Sequence, residues 1–216
     1  MAANLTYHNP IGVVETTSGL TPFTLSNPEQ AGQTFPLGVP VQINAGYTKV
    51  WDGATITAGI AGFSLTSGLN LASNGLGAPG AFAQIGPPGT IQSYGTVPNQ
   101  PAALNIAVGA PISDGRTLFE SAASTNIFEA VFDSSTYTVP ANGTPLQSQI
   151  GTQFGLTIDA SNQWYVDNAK TTPGTNTVVV MVGINPIDQV PGNAGTFILN
   201  ARVRFQVLAT ARQMVS

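Results

Sequence analysis

The chain has 216 residues, of which 6 are Lys or Arg, 10 are Asp or Glu and 1 is His, for a net charge of −4. Charged residues make up 7% of the sequence, where an average globular domain carries about 25%. With 42% hydrophobic residues, 24 Gly and 16 Pro, this composition excludes a helical bundle, whose wet faces need Glu, Lys and Arg, as well as charge-driven disorder and nucleic-acid binding through phosphates.

At the start, MAANLTYHNP has no basic stretch followed by an apolar one, so no signal peptide is expected. Phe35, Leu37, Val39, Val41 and Ile43 then fall on every second position, which predicts a half-buried strand. Pro36 and Pro40 would leave two N–H groups missing on one side, so an edge strand is expected. Tyr47 to Trp51 follow, and Asp52-Gly53 reads as a hairpin turn into a second strand at Thr55 to Ile60. Phe63 and Leu65 switch parity, which predicts a bulge near Ala61-Gly62.

Residues 74 to 111 are dominated by Gly and Pro and read as an arm or connection, since so long an unstructured loop needs a role. Gly75 to Gly80 match the literal GxGxxG spacing, but Pro79 denies the helix that a dinucleotide site requires. Leu118 to Ser124 give the best helical hint. Further on, Phe154, Leu156 and Ile158 alternate, and a polar turn at Asp159 to Asn162 leads to Trp164-Tyr165-Val166. Thr177 to Ile184 read as a strand buried on both faces, and Phe197 to Val207 as the longest alternation, with Arg202, Arg204 and Gln206 on its other side. No internal repeat is evident. The expectation is an all-β fold, an antiparallel barrel or sandwich with long Gly/Pro-rich loops and little helix. It comprises a β-rich half at 1–73, the arm at 74–111 and a β-rich half at 112–216, or one domain with an insertion.

Few residues invite catalysis. There is no Cys, hence no thiolate and no disulfide, and His8 is the single histidine, with no acid nearby. Most carboxylates sit at expected turns, while Glu120 and Glu129 lie among apolar residues. No cofactor, no metal and no enzyme activity are expected. The longest strong apolar run, Val178 to Ile184, is too short to span a membrane. Asn4-Leu5-Thr6 and Asn142-Gly143-Thr144 match the glycosylation acceptor pattern, which has little weight without a secretory signal. Trp51, Trp164, Tyr47 and Tyr165 suit either a core or a sugar-binding platform. An exterior with so few charges suits a chain packed against neighbours.

Two stretches resemble head decoration (capsid cement) proteins of tailed bacteriophages. The first runs through Gly38-Val39-Pro40-Val41-Gln42, Trp51-Asp52-Gly53 and Ala58 to Ser64. The second runs through Gly151 to Leu156, Trp164-Tyr165-Val166-Asp167, Val178 to Ile184 and Ala201 to Val207. The resemblance implies a structural virion protein on the outer surface of the capsid, made in the host cytoplasm. Its expected partners are the major capsid protein and copies of itself, trimers before dimers, with no nucleic acid and no membrane. The candidate contacts are Phe35, Pro36, Leu37, Val39 and Pro40 on the strand, and Phe82, Ile85, Pro87, Pro88, Ile91 and Tyr94 on the arm. The alternative is a receptor- or carbohydrate-binding β-module of a spike or fibre.

Overall fold

The computed structural model describes residues 10–17, 24–30, 35–53, 59–66, 68, 116–136 and 138–213. Its strands are β1 (Gly12–Thr16), β2 (Thr24–Pro28), β3 (Pro40–Asn44), β4 (Tyr47–Val50), β5 (Gly62–Ser64), β6 (Arg116–Ser121), β7 (Asn126–Asp133), β8 (Gln153–Ile158), β9 (Trp164–Asp167), β10 (Val179–Ile184) and β11 (Arg202–Val207). Among the described residues helix is confined to short 3-10 turns, so the all-β expectation holds. Among the described residues no helix is long and apolar enough to cross a membrane.

The strands form two sheets. One has the order β1-β7-β11-β10-β8-β9, and a parallel β7–β9 pairing closes its last five strands into a barrel. The other has the order β2-β6-β5-β3-β4. It returns on itself through a parallel bridge from Glu29 to Thr48, where Gln30 N–H donates to the Thr48 carbonyl at 2.8 Å. In chain order the two rings are identical: the first strand pairs the fifth antiparallel and the third parallel, while the second pairs the third and the fourth.

The registers match as well. Ala61 N–H donates to Val41 O and Ser64 N–H to Val39 O in one barrel; Val178 N–H donates to Phe154 O and Met181 N–H to Thr152 O in the other. Gly38 N–H to Ser64 O corresponds to Gly151 N–H to Met181 O, and Ala122 N–H to Ala61 O corresponds to Leu208 N–H to Val178 O. Phe119 pairs Leu25 and Ser64 as Phe205 pairs Phe128 and Met181. The chain is an internal duplication, which overturns the expectation of no repeat. β6 is the fifth strand of the first barrel, so residues 74 to 111 lie between the fourth and fifth strands of that barrel.

Several local expectations are corrected. β3 lies between β4 and β5, so it is an interior strand. Pro40 is its first residue, the one interior position where a missing N–H is tolerated. The hairpin turn is Ala45-Gly46, whose positive φ values of 50° and 85° suit a two-residue loop; Asp52-Gly53 follows β4. Thr55 to Ala58 lie outside the described residues. No bulge occurs at Ala61-Gly62, because Gly62, Phe63 and Ser64 pair continuously with Ser121, Glu120 and Phe119. The bulges fall instead between Val13 and Glu15 and between Met181 and Gly183. Leu118 to Ser121 belong to a strand, because β6 is paired on both sides by β2 and β5, a context that overrides local helical preference.

One continuous apolar core serves both barrels. Phe63 of the first contacts Phe128 and Phe205 of the second, with ring centroids at 4.5 and 5.9 Å. Both ends of the chain cross between barrels. Ile11 N–H donates to Gly38 O in the first barrel, and β1 then pairs β7 in the second. Beyond β11, Gln213 returns to the first barrel: its N–H donates to Ile60 O, and its side-chain amide accepts from Ile43 N–H at 2.6 Å and donates to Ile43 O. That amide does the work of a neighbouring strand.

Candidate interaction surface

The residues nominated for contacts separate sharply in the fold. Phe35 and Val39 are 6% and 1% exposed and belong to the core, and Pro40 is buried with them. Pro36 is half-buried. Leu37, on the turn before Gly38, is 46% exposed and is the one exposed residue of these five. Phe82, Ile85, Pro87, Pro88, Ile91 and Tyr94 lie outside the described residues, as do His8 and Gly75 to Gly80.

The strand interiors explain the carboxylates that the sequence left open. Glu120 accepts from Val13 N–H at 2.9 Å and so ties the N-terminal strand to the first barrel. Glu129 accepts from the Asn185 amide at 2.9 Å and from Arg202 at 3.3 Å. Arg202 also holds Asp188 in a fork, with Nε and Nη2 at 2.9 and 3.0 Å from its two oxygens. Arg204 lies 3.5 Å from Glu15 and 3.7 Å from Glu129. These five side chains form a ladder across β1, β7, β11 and the 3-10 turn Pro186–Asp188. A groove of about 220 Å³ beside them is lined by Pro10, Val13, Val14, Glu129, Val131 and Arg202 among others. Both of Arg202's neighbouring acids already occupy its donors, so the ladder stitches strands together.

The Arg202 hydrogen bonds hold the Asp188 carboxyl below the usual carboxylate range. A depressed folded pKa contributes stability above the unfolded value, and that contribution disappears as pH falls through the folded one. Urea midpoints are therefore expected to hold steady from neutral pH to about 4 and to fall below it. Arg202→Ala should cost about 1–3 kcal/mol at pH 7, because it takes the guanidinium from two carboxylates that are each 12% exposed, leaving Asp188 the residue-202 N–H and Glu129 the Asn185 amide and Arg204, and should flatten the acid limb. An acid limb equally steep in the variant would refute this assignment.

At the end of β9, Asp167 accepts from Ser135 N–H, Ala169 N–H and the Thr157 hydroxyl at 3.0, 2.9 and 2.6 Å. Its oxygens are committed to local turns. Burial first, and then Asp167, Asp133 and Asp159, push the Tyr165 phenol above its ordinary range, so it stays protonated. Among the described residues no group of three or more His, Asp or Glu side chains is placed to hold a metal ion.

Of the four aromatic residues that suited either a core or a platform, three are buried and Tyr47 is half-buried. Trp51, Trp164 and Tyr165 are 3%, 4% and 6% exposed, and the two indoles pack on each other at 5.4 Å. What the surface does carry is aliphatic. Leu37, Leu65 and Leu118 are exposed on the first barrel, and Val139, Leu146, Ile150, Ile158, Ile187 and Ile198 on the second. Ile158 was expected on the alternating face with Phe154 and Leu156 and instead stands exposed at the end of β8; Val139, Leu146, Ile150, Ile187 and Ile198 lie outside the strands, where no periodicity marks them. A usable signal was the absence of any charge from 134 to 158. Comparison with family models, with curated proteins and with solved structures finds no match.

Proposed function

We propose that this chain is a structural protein of a tailed-phage virion that binds the outer surface of the capsid and stabilises the shell by bridging its subunits, without enzyme activity. The observation that carries the reading is the surface: large aliphatic side chains stand 38% or more exposed on both barrels of a chain with 7% charged residues. Such a surface gains roughly 25 cal/mol per Å² when a neighbour covers it, and repetition over a shell multiplies weak contacts into avidity. The motif stretches that resemble cement proteins supply further support. They fall on corresponding parts of the two barrels, Gly38 to Gln42 on the entry to β3 and Gly151 to Gly155 on the entry to β8. Two barrels that share one apolar core and are tied by β1 and Gln213 suit a mechanical task. The indoles of Trp51 and Trp164 are buried and lend no support to the carbohydrate-binding alternative.

The test is stoichiometry. Particles purified on a density gradient should contain this chain in a fixed ratio to the major capsid protein, as read by quantitative mass spectrometry. A handful of copies per particle, or none, would overturn the proposal.

A further inference from the structure

One surface element occurs once in each barrel. The turn Leu37-Gly38 leads into β3, and the turn Ile150-Gly151 leads into β8. Both glycines are left-handed, at φ 78° and 90°. Both turns are pinned in the same way. Gly38 N–H donates to Ser64 O and Ser64 N–H to Val39 O, at 2.8 and 2.9 Å; Gly151 N–H donates to Met181 O and Met181 N–H to Thr152 O, at 2.8 and 3.0 Å. The residue before each glycine is a large aliphatic one that faces solvent, Leu37 at 46% and Ile150 at 38% exposure. Ile11 N–H bonds Gly38 O and still leaves Leu37 outward.

This agreement contrasts with the rest of the two exteriors. Leu118, exposed on the first barrel, corresponds in register to Arg204 on the second. Among the described residues Leu37 and Ile150 are the one corresponding pair of large aliphatic side chains exposed in both barrels. Both turns also lie in charge-free sequence, since neither 30 to 48 nor 134 to 158 contains Asp, Glu, Lys, Arg or His. A charged partner surface would lose its water there and gain no counter-ion, so the complementary surface is apolar and uncharged. A turn fixed by backbone hydrogen bonds loses little freedom on docking.

We propose that the two turns are two copies of one contact, through which each chain holds two subunits of a single repeating partner, the major capsid protein. The occupant follows from the duplication. A side chain presented twice on barrels that share one core fits a partner that presents its own surface twice at a set spacing, as a symmetric shell does. The proposal rests on the shell-binding reading above and adds to it where the chain grips and with what valency. While both turns are seated, release of one leaves the other attached, so loss of either removes the whole gain from avidity.

The test uses shells stripped of this chain, with release of rebound protein followed after dilution. Leu37→Asp and Ile150→Asp should each speed release by at least about tenfold, to similar extents, and the double variant should not bind. Leu118→Asp, which has no aliphatic counterpart, should be released as the wild type is. Leu37→Ser and Ile150→Ser repeat the comparison without an added charge, and thermal midpoints close to that of the wild type, as expected for exposed positions, show that the fold is kept. Faster release in only one of the two single variants would assign the contact to one barrel and overturn the proposal. Wild-type binding that neither variant weakens would overturn it and leave the shell-binding reading standing, whereas no binding by the wild type would overturn both. Sedimentation of the chain alone that shows association abolished by either variant would assign the turns to a second copy and would equally overturn it.

Discussion

Phe63→Ala should lower the stability of the chain by about 3–5 kcal/mol, the range for emptying a buried phenylalanine site, and should do so for both barrels. Phe63 is fully buried, and its ring packs against Phe128 and Phe205 of the other barrel. Those two rings stack on each other at 5.9 Å. The three rings therefore make a joint in which the first barrel fills space inside the second. Removing one ring leaves a void that neither barrel closes alone, since Phe63's own strand is fixed by continuous pairing to β3 and β6. Hydrogen exchange reads the distribution of the damage. Amides of β7 and β11 should lose protection together with those of β5. Loss confined to β5 and β6 would show that the joint does not couple the barrels. Phe132→Ala, whose ring packs edge-on to Phe154 at 5.3 Å within the second barrel, is the comparison for a loss of similar size away from the joint.

Alternation in the sequence was readable wherever one strand face is wet. β8 and the later part of the Phe197 to Val207 alternation, β11 from Arg202, are strands: Phe154 and Leu156, and Val203, Phe205 and Val207, are buried while Gln153, Thr157, Arg202, Arg204 and Gln206 are half-exposed. Reading failed where burial is two-sided. Ile60 to Ser64 are buried at every position, so the parity switch at Phe63 carried no information about register. Prolines misled for a different reason: a missing N–H marks an edge only inside a strand, and Pro40 stands at its first residue.

The duplication was hidden by the chemistry of the two interiors. Corresponding positions retain Gly38 and Gly151, Tyr47 and Tyr165, and Phe119 and Phe205. Elsewhere one barrel is polar where the other is apolar. Asn27, Glu29, Thr48 and Thr117 correspond in register to Ala130, Phe132, Val166 and Val203. The polar set is joined internally, Thr117 donating to Glu29 at 3.2 Å and Asn27 to Thr48 at 3.1 Å. A barrel wall can be filled by apolar side chains or by a satisfied hydrogen-bond network, and identical backbones then share almost no side chains.

Gly62→Ala should be among the most damaging single changes in the chain, costing about 3–5 kcal/mol through backbone displacement. A Cβ at Gly62 would overlap the Glu120 carbonyl oxygen and the Phe119 ring, and would come within 2.9 Å of the Glu120 carbonyl carbon. Glu120 is fixed by pairing to Phe63 and Thr24, so the obstacle is backbone and cannot rotate away. The corresponding residue in the second barrel is Val179, which is fully buried and paired to Val207 and Phe154. One register position thus holds glycine in one barrel and valine in the other, and the difference is the separation of strands at that point. The paired experiment is Gly62→Ala against Val179→Ala, followed by thermal unfolding. Val179→Ala should cost less, about 1–3 kcal/mol, since it only removes methyl groups from a packed site. A Gly62→Ala variant as stable as wild type would mean that β5 and β6 stand farther apart than described, and with it the register that relates the two barrels at this strand pair would fall.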